Sequence, residues 1–294
     1  YYAHHPGRFF YIKDEDTGQL FSVPFEPVRT SLESYIFSVG KNDIRWQIEN
    51  NKLSIEMCLS LTENDLVELW SIKIRNTAPA IRKISIYPYF PVGYMSWMNQ
   101  SGKYIPDLYS IVCSSVTPYQ KYQDYFKIQH YKDKTFFMAD RAPDSWEINQ
   151  ANFEGEGGLQ YPSAIRRPEL ENGNALYETP ACCLQYRLSL AAGTEEQFRF
   201  IFGPAKDEPE VAIIRNRYFN EKDHTGEDGF SLAKKEYAGY IAEGSGCIQI
   251  KTPDAEFDNF INHWLPRQIF YHGETNRLCT DPQTRNYLQD NMGM

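Results

Sequence analysis

The runs Ile44-Arg45-Trp46-Gln47-Ile48, Leu53-Ser54-Ile55-Glu56-Met57-Cys58-Leu59 and Trp70-Ser71-Ile72-Lys73-Ile74 alternate apolar and polar residues with a period of two. Successive side chains of a strand point to opposite faces, so the pattern predicts strands with one buried face. The β-branched and aromatic residues in these runs suit a pleated, half-buried surface. Asn76-Thr77-Ala78-Pro79 interrupts the pattern as a turn before Ile84, Ile86 and Tyr87, which predicts an antiparallel meander. Pro88 and Pro91 lack a ladder donor and are expected to mark where the last of these strands leaves the sheet.

Working outward, the stretch 91–180 is richer in Tyr, Trp, Gly and Pro and less periodic, so long loops are expected there, with Phe153-Glu154-Gly155-Glu156-Gly157-Gly158 as the most flexible point. Strands resume at Cys183–Leu190, where Leu184, Tyr186, Leu188 and Leu190 share a face. They turn at Ala192-Gly193 and return through Phe198, Phe200 and Phe202. A sheet protein of this size closes as a large sandwich. After Gly203-Pro204 the period becomes helical: Val211, Ile214 and Tyr218 fall on one face, then Ala233, Tyr237 and Ile241. A short strand Cys247–Ile250 is expected next, followed by a helix carrying Phe257, Phe260, Ile261, Trp264, Leu265 and Ile269, kinked or restarted at Pro266 and ended by Gly273. Asp281 and Pro282 suit the cap and first position of a last helix running from 282 towards 293. The expected organisation is therefore a β domain over 1–205, a helical linker over 206–245 and a further helical layer over 246–294.

With 294 residues, 41% hydrophobic and 23% charged, the chain has the composition of a globular protein with a sizeable core rather than a disordered one. A net charge of −9 without a basic stripe argues against a nucleic-acid partner. No apolar run reaches the roughly 20 residues of a membrane-spanning helix, so no membrane partner is expected. The 6 cysteines lack C-x-x-C or zinc-type spacing, so no metal site is expected. Adjacent Cys182 and Cys183 would point to opposite faces of a strand, and buried thiols in a reducing cytoplasm are the expectation. The chain has no initiator Met and stops at Met294 inside a helical pattern, which reads as a fragment of something longer.

Arg285-Asn286-Tyr287-Leu288-Gln289-Asp290 is the densest cluster of functional side-chain types. On a helix, Asn286 and Asp290 are four apart, as are Arg285 and Gln289, so two polar columns face one sector. Carboxylate and carboxamide oxygens accept from sugar hydroxyls, while Arg and Gln donate to sugar oxygens. Spacing alone does not separate that role from a solvated helix face with an ordinary Arg–Asp pair.

Asn262-x-Trp264-Leu265-x-x-Gln268, Arg277 and Arg285-Asn286-x-x-Gln289-Asp290 together resemble the opening of the helical barrel in glycoside hydrolase family 94, the cellobiose and chitobiose phosphorylases. Phe10-Tyr11-Ile12-Lys13-Asp14 with Thr17-Gly18 resembles that family's opening strand, and Phe153-Glu154-Gly155 through Pro162 its sandwich loop. Thr179-Pro180 through Gly193, Phe202-Gly203 and Ile248-x-Ile250-x-Thr252-Pro253 resemble the last sandwich strands and the segment leading into the barrel. The resemblance implies a mainly β fold: a large antiparallel β-supersandwich, linker helices and the first helices of an (α/α)6 barrel. It implies that Arg285, Asn286, Gln289 and Asp290 bind substrate, with Asp290 more structural than catalytic. Position 286 is Asn where the family motif has Asp, which puts an amide able to donate where a carboxylate accepts.

The implied reaction is inverting phosphorolysis of a β-glucoside or β-glucooligosaccharide. Phosphate is already anionic and needs no base, whereas the leaving oxygen needs one carboxylic acid. That acid is expected after Met294, so no catalytic residue is assigned in this chain and the chain alone is expected to be inactive. Inorganic phosphate is the implied co-substrate, without metal or organic cofactor, and a homodimer is the implied assembly. Two other readings are a related β-glucan transglycosylase or hydrolase, and a non-catalytic carbohydrate-binding sandwich. Tyr94, Trp97 and Tyr104 beside Asn99 are more suited to packing than to sugar stacking. Glu154 and Glu156 read as a mobile acidic loop rather than a catalytic pair. His4 and His5 lie too near the terminus to carry a role, and His263 and His272 read as core or surface histidines.

Overall fold

In a computed structural model, which describes residues 7–93, 100–115, 132–222, 224, 226–243 and 248–267, each alternating run forms a strand. The strands are β1 (Phe9–Asp14), β2 (Leu20–Val23), β3 (Ser34–Val39), β4 (Asp43–Asn50), β5 (Leu53–Leu61), β6 (Glu68–Asn76), β7 (Arg82–Pro91), β8 (Ser101–Ile105), β9 (Ser110–Ser114), β10 (Lys134–Ala139), β11 (Ser145–Asn149), β12 (Ala175–Leu176), β13 (Pro180–Leu190) and β14 (Glu195–Ala205). They form a 5-stranded sheet ordered β11-β13-β7-β1-β2 and a 9-stranded sheet ordered β12-β8-β9-β10-β14-β6-β5-β4-β3. Every strand pair is antiparallel. The fold is the large sandwich expected from the pattern and the mainly β supersandwich that the resemblance implies.

The expected meander holds for β3 to β6 and then breaks. β7 crosses to the smaller sheet, where it pairs with β1 and β13. The reason lies in its composition: Ile84 through Phe90 are buried without interruption, as befits a central strand covered on both faces. β7 also runs through Pro88 rather than ending there. Its ladder to β13 has no bridge at 87 or 88, between Ile86↔Tyr186 and Tyr89↔Cys183, and this gap accommodates the missing donor.

The smaller sheet separates two cores. Its inner face packs on the larger sheet, with Phe90 stacked on Phe137 at 4.3 Å between centroids and edge-on to Trp70 at 5.6 Å. On its outer face Phe9, Tyr11, Tyr89 and Cys183 meet Phe153 and Ile165. Cys182 belongs to the inner core and Cys183 to the outer one, as strand alternation requires. Segment 153–158 is thus a packed lid rather than a flexible point: Phe153 is fully buried, and Gly155, at φ +53°, lies so close to Ser163 that a Cβ would clash. The 91–180 region also contains five short strands, β8 to β12. A strand such as β9, buried on both faces, has no alternation for a period-two reading to detect.

The chain divides into two compact units, Tyr1–Leu232 and Ala233–Met294, with the boundary inside the helix Gly229–Glu243. In the first unit, helix Glu208–Arg215 follows β14, capped by the Asp207 carboxylate, which accepts from Glu210 N–H. Its Val211 and Ile214 are buried, and Arg215 donates to the carbonyls of Leu108 and Ala139 at 2.8 and 2.9 Å. In the second unit, residues 248–250 form no strand, contrary to expectation, and Cys247 lies outside the described residues. A helix Ala255–Asn259 widens into a π-helical turn over Phe260–Trp264, just before Pro266. Ile269, Gly273 and the expected helix from 282 lie outside the described residues.

Candidate functional site

The four residues read as sugar ligands, Arg285, Asn286, Gln289 and Asp290, lie outside the described residues, as do Gln268 and Arg277. The structure does describe the segment that leads towards them. Asp254 caps its helix by accepting from the N–H groups of Glu256 and Phe257 at 3.0 and 3.1 Å. One turn on, Asp258 accepts from both the N–H and the hydroxyl of Thr252, at 2.9 Å each. Asn262 closes the arrangement: its Oδ1 accepts from Ile250 N–H and its Nδ2 donates to Ile250 C=O, both at 2.8 Å. Only an amide offers that donor–acceptor pair, and it explains why 248–250 forms no ladder: the side chain satisfies the strand-type bonds of Ile250. Phe257, Phe260, Trp264 and Leu265 are exposed along this helical segment, so the predicted apolar stripe is present.

Other candidates resolve into packing. Tyr104 stacks on Trp146 at 4.1 Å, and burial pushes its phenol up to about 12. Glu154 accepts from Tyr89 Oη at 3.2 Å and from Gln150 Nε2 at 2.7 Å, so it secures the outer core. Burial, with Glu154 beside it, drives the Tyr89 phenol far up. Glu156 instead lines a separate open groove of about 360 Å³ with Glu26, Arg29 and Gln160, so the two carboxylates do not form a pair. His263 sits in the π-helical turn. Tyr94, Trp97, Asn99, His4, His5 and His272 lie outside the described residues.

A second cavity of about 400 Å³ opens beside the β5–β6 connection, walled by Leu66, Val67, Phe202 and Gly203. Arg8 lies over the Phe202 ring at 4.4 Å and reaches Glu68 at 2.8 Å, and Glu68 also accepts from Trp70 Nε1 at 2.8 Å. Asp65 on the same rim accepts from Arg217 and from Tyr218 Oη. The rim carboxylates are therefore already engaged, and the cavity offers an apolar wall with a neutralised edge. No group of three His, Cys, Asp or Glu able to hold a metal occurs among the described residues.

Sequence reading missed two buried carboxylates, Asp14 at the end of β1 and Glu147 in β11. Glu147 is almost wholly buried in β11, accepts from the N–H groups of Ile148 and Asn149 at 3.1 and 3.0 Å, and packs where a Cβ on Gly173 would clash with it. Burial pushes its carboxyl above the ordinary range, partly offset by those two donors. Its only sequence signal is a polar residue between Trp146 and Ile148 in a strand, which by itself reads as solvent-facing.

The chain is 53% identical over 290 residues to the cellobionic acid phosphorylase of Neurospora crassa, covering 99% of this chain and 36% of that protein. It is 27% identical to the 3-O-beta-D-glucopyranosyl-beta-D-glucuronide phosphorylase of Paenibacillus borealis, covering 97% of this chain and 36% of that protein. The chain thus spans about a third of the length of these relatives. Among solved structures, a bacterial glucoamylase complexed with acarbose matches at 7% identity with a TM-score of 0.52, covering 89% of this chain and 34% of that one, a likeness of fold alone. Residues 2–221 match the supersandwich domain of glycosyl hydrolase 94. With two antiparallel sheets closing on one another over that same span, and with a relative identical at more than half of its positions, the chain belongs to the glycosyl hydrolase 94 family.

Proposed function

We propose that the chain is the amino-terminal part of an inverting glycoside phosphorylase that transfers a glucosyl unit from a β-glucoside to inorganic phosphate. The observation that carries this reading is the identity of 53% to a cellobionic acid phosphorylase across nearly the whole chain. Phosphate oxygen bonds to the anomeric carbon while the glycosidic C–O bond breaks, and one carboxylic acid protonates the departing oxygen. In this reading that acid and the phosphate ligands come from the part of the relatives' length that this chain does not span. Arg285, Asn286, Gln289 and Asp290 hold the transferred glucosyl unit, residues 206–245 are the linker and 246–294 begin an (α/α)6 barrel. No metal or organic cofactor takes part.

The acceptor side is proposed to be acidic. The two relatives just described are named for substrates whose non-transferred half carries a carboxylate, an aldonic acid in one and a glucuronide in the other. A cytoplasmic location fits the four described cysteines, none of which is in a disulfide. The reading includes a homodimer.

The test uses the intact polypeptide that carries this chain. Incubated with cellobionic acid and phosphate, it should release glucose 1-phosphate and gluconate, with cellobiose turned over far more slowly. Release of free glucose at a rate independent of phosphate would reject phosphorolysis in favour of the hydrolase reading. Equal rates on the acidic and neutral disaccharides would reject the acidic acceptor alone.

A further inference from the structure

The inner core holds a pair of thiols that no step of the proposed reaction uses. Cys113 on β9 of the larger sheet and Cys182 on β13 of the smaller one are both fully buried, with their sulfurs in contact at 3.9 Å. Stacked sheets ordinarily lie about 10 Å apart, whereas a disulfide needs its Cα atoms within about 7 Å. The sandwich is pinched at this point. Ala175, Gly102 and Cys113 stand side by side on β12, β8 and β9, so the larger sheet presents a row of small side chains here. A Cβ on Gly102 would lie 2.6 Å from Ile148 Cγ2 and 3.3 Å from Pro180 Cβ, both on the smaller sheet, and 2.9 Å from Cys113 Sγ. The missing side chain at 102 thus lets the sheets close and gives Cys113 Sγ the room in which it meets Cys182. The other two described thiols lack this geometry: Cys183 belongs to the outer core, and Cys58 lies against the Asp43 carboxylate at 3.9 Å.

We propose that Cys113 and Cys182 are an oxidisable pair, which closes as a disulfide between the two sheets when the chain meets a low-molecular-weight disulfide such as oxidised glutathione. One cysteine thiolate attacks a glutathione sulfur, breaking that S–S bond and releasing one glutathione thiolate. The second cysteine thiolate then attacks the mixed disulfide and releases the other glutathione. Two protons pass from the cysteines to the departing glutathiones, so two thiols are oxidised while one disulfide is reduced. A glutathionyl group does not fit into a close-packed core, so the first exchange takes place as the sandwich opens, and reclosing brings the second thiol into contact. The bond joins positions 69 apart in sequence, and closing so long a loop takes much chain entropy from the unfolded state. A reducing glutathione pool leaves the pair open, so the sandwich is stapled only under oxidising conditions.

The test uses the intact polypeptide that carries this chain, first reduced and then held in excess oxidised glutathione a few degrees below its melting temperature. After the remaining thiols are blocked, digestion without reductant should yield a peptide that links the segments around 113 and 182. The melting temperature should rise by about 5 °C or more and fall back once dithiothreitol is added. Because Cys183 adjoins Cys182, two variants assign the bond: Cys183→Ala should keep both the link and the shift, and Cys182→Ala should lose both. Should Cys182→Ala fail to fold, Cys183→Ala decides alone. Absence of the link, a link that Cys183→Ala abolishes, or a link with no rise in melting temperature overturns the proposal.

Discussion

Asn76 concentrates much of the fold in one side chain. It is fully buried at the end of β6, where the chain leaves one sheet for the other. Its Nδ2 donates to the carbonyls of Ala80, Leu190 and Ala191 at 2.8, 2.9 and 3.2 Å, and its Oδ1 accepts from Ala78 N–H at 2.9 Å. Its backbone bonds to Thr194 and Gly193, in the turn by which β13 passes to β14. Gly193 adopts φ +74°, a conformation that side chains resist. The two crossings between sheets are thus laced together by one amide that both donates and accepts. Replacing Asn76 by Ala leaves buried carbonyls without donors and is expected to cost about 3 kcal/mol, or roughly 6–12 °C in melting temperature. Asn76→Asp, which turns a lone pair towards those carbonyls, is expected to melt lower still. Calorimetry of the two variants would show this ranking.

At the level of elements, the same end of the sandwich is tied by charge. Asp14 closes β1 and is almost wholly buried, Asn51 lies in the β4–β5 turn, and Arg82 begins β7. Arg82 donates to the Asp14 carboxylate at 2.6 Å and to Asn51 C=O at 2.7 Å, and Asn51 Nδ2 donates to Asp14 at 3.0 Å. The set joins a strand of the small sheet to a turn of the large one. Burial by itself would raise the Asp14 carboxyl, but donors on Thr17, Asn51 and Asp16 outweigh it, and its pKa falls below the ordinary value. A lowered folded-state pKa contributes stability that is full above the unfolded carboxyl value and is lost as pH falls through the folded one. Asp14→Asn should therefore destabilise by about 3 kcal/mol near neutral pH. The gap to the wild type should narrow as pH is lowered below about 4. Melting curves at pH 7, 5 and 3 check the sign, and a gap that widened on acidification would contradict it.

At the scale of the whole molecule, two cores stacked on either side of one sheet enclose Cys113, Cys182 and Cys183, while Cys58 is buried on β5 with its thiol against the Asp43 carboxylate. Cys58, Cys113, Cys182 and Cys183 are buried and not joined in disulfides, with Cys113 and Cys182 facing each other across the sheets at 3.9 Å between sulfurs. Burial raises the Cys182 and Cys183 thiols well above their usual range, which suppresses the reactive thiolate. A thiol titration with a disulfide reagent should label no more than Cys247 and Cys279 in the native chain, and all 6 cysteines once guanidinium unfolds it. Early labelling of Cys113, Cys182 or Cys183 would mean that the cores open.

The alternation in residues 44–74 determined strands β4 to β6 and their buried face, because one-sided burial writes itself directly into a period of two. The helical period of Val211, Ile214 and Tyr218 was legible for the same reason. The family was legible from short motifs spread along the chain, although the proposed sugar ligands lie outside the described residues. Tertiary structure alone decided that β7 changes sheets, that Phe153 seals a second core and that Glu147 is buried. In each case the residue is covered on the face that local spacing assigns to solvent, and the cover comes from chain far away in sequence. Local pattern records which face of an element is apolar, whereas which sheet it joins and what lies over it depend on contacts that only the folded chain brings together.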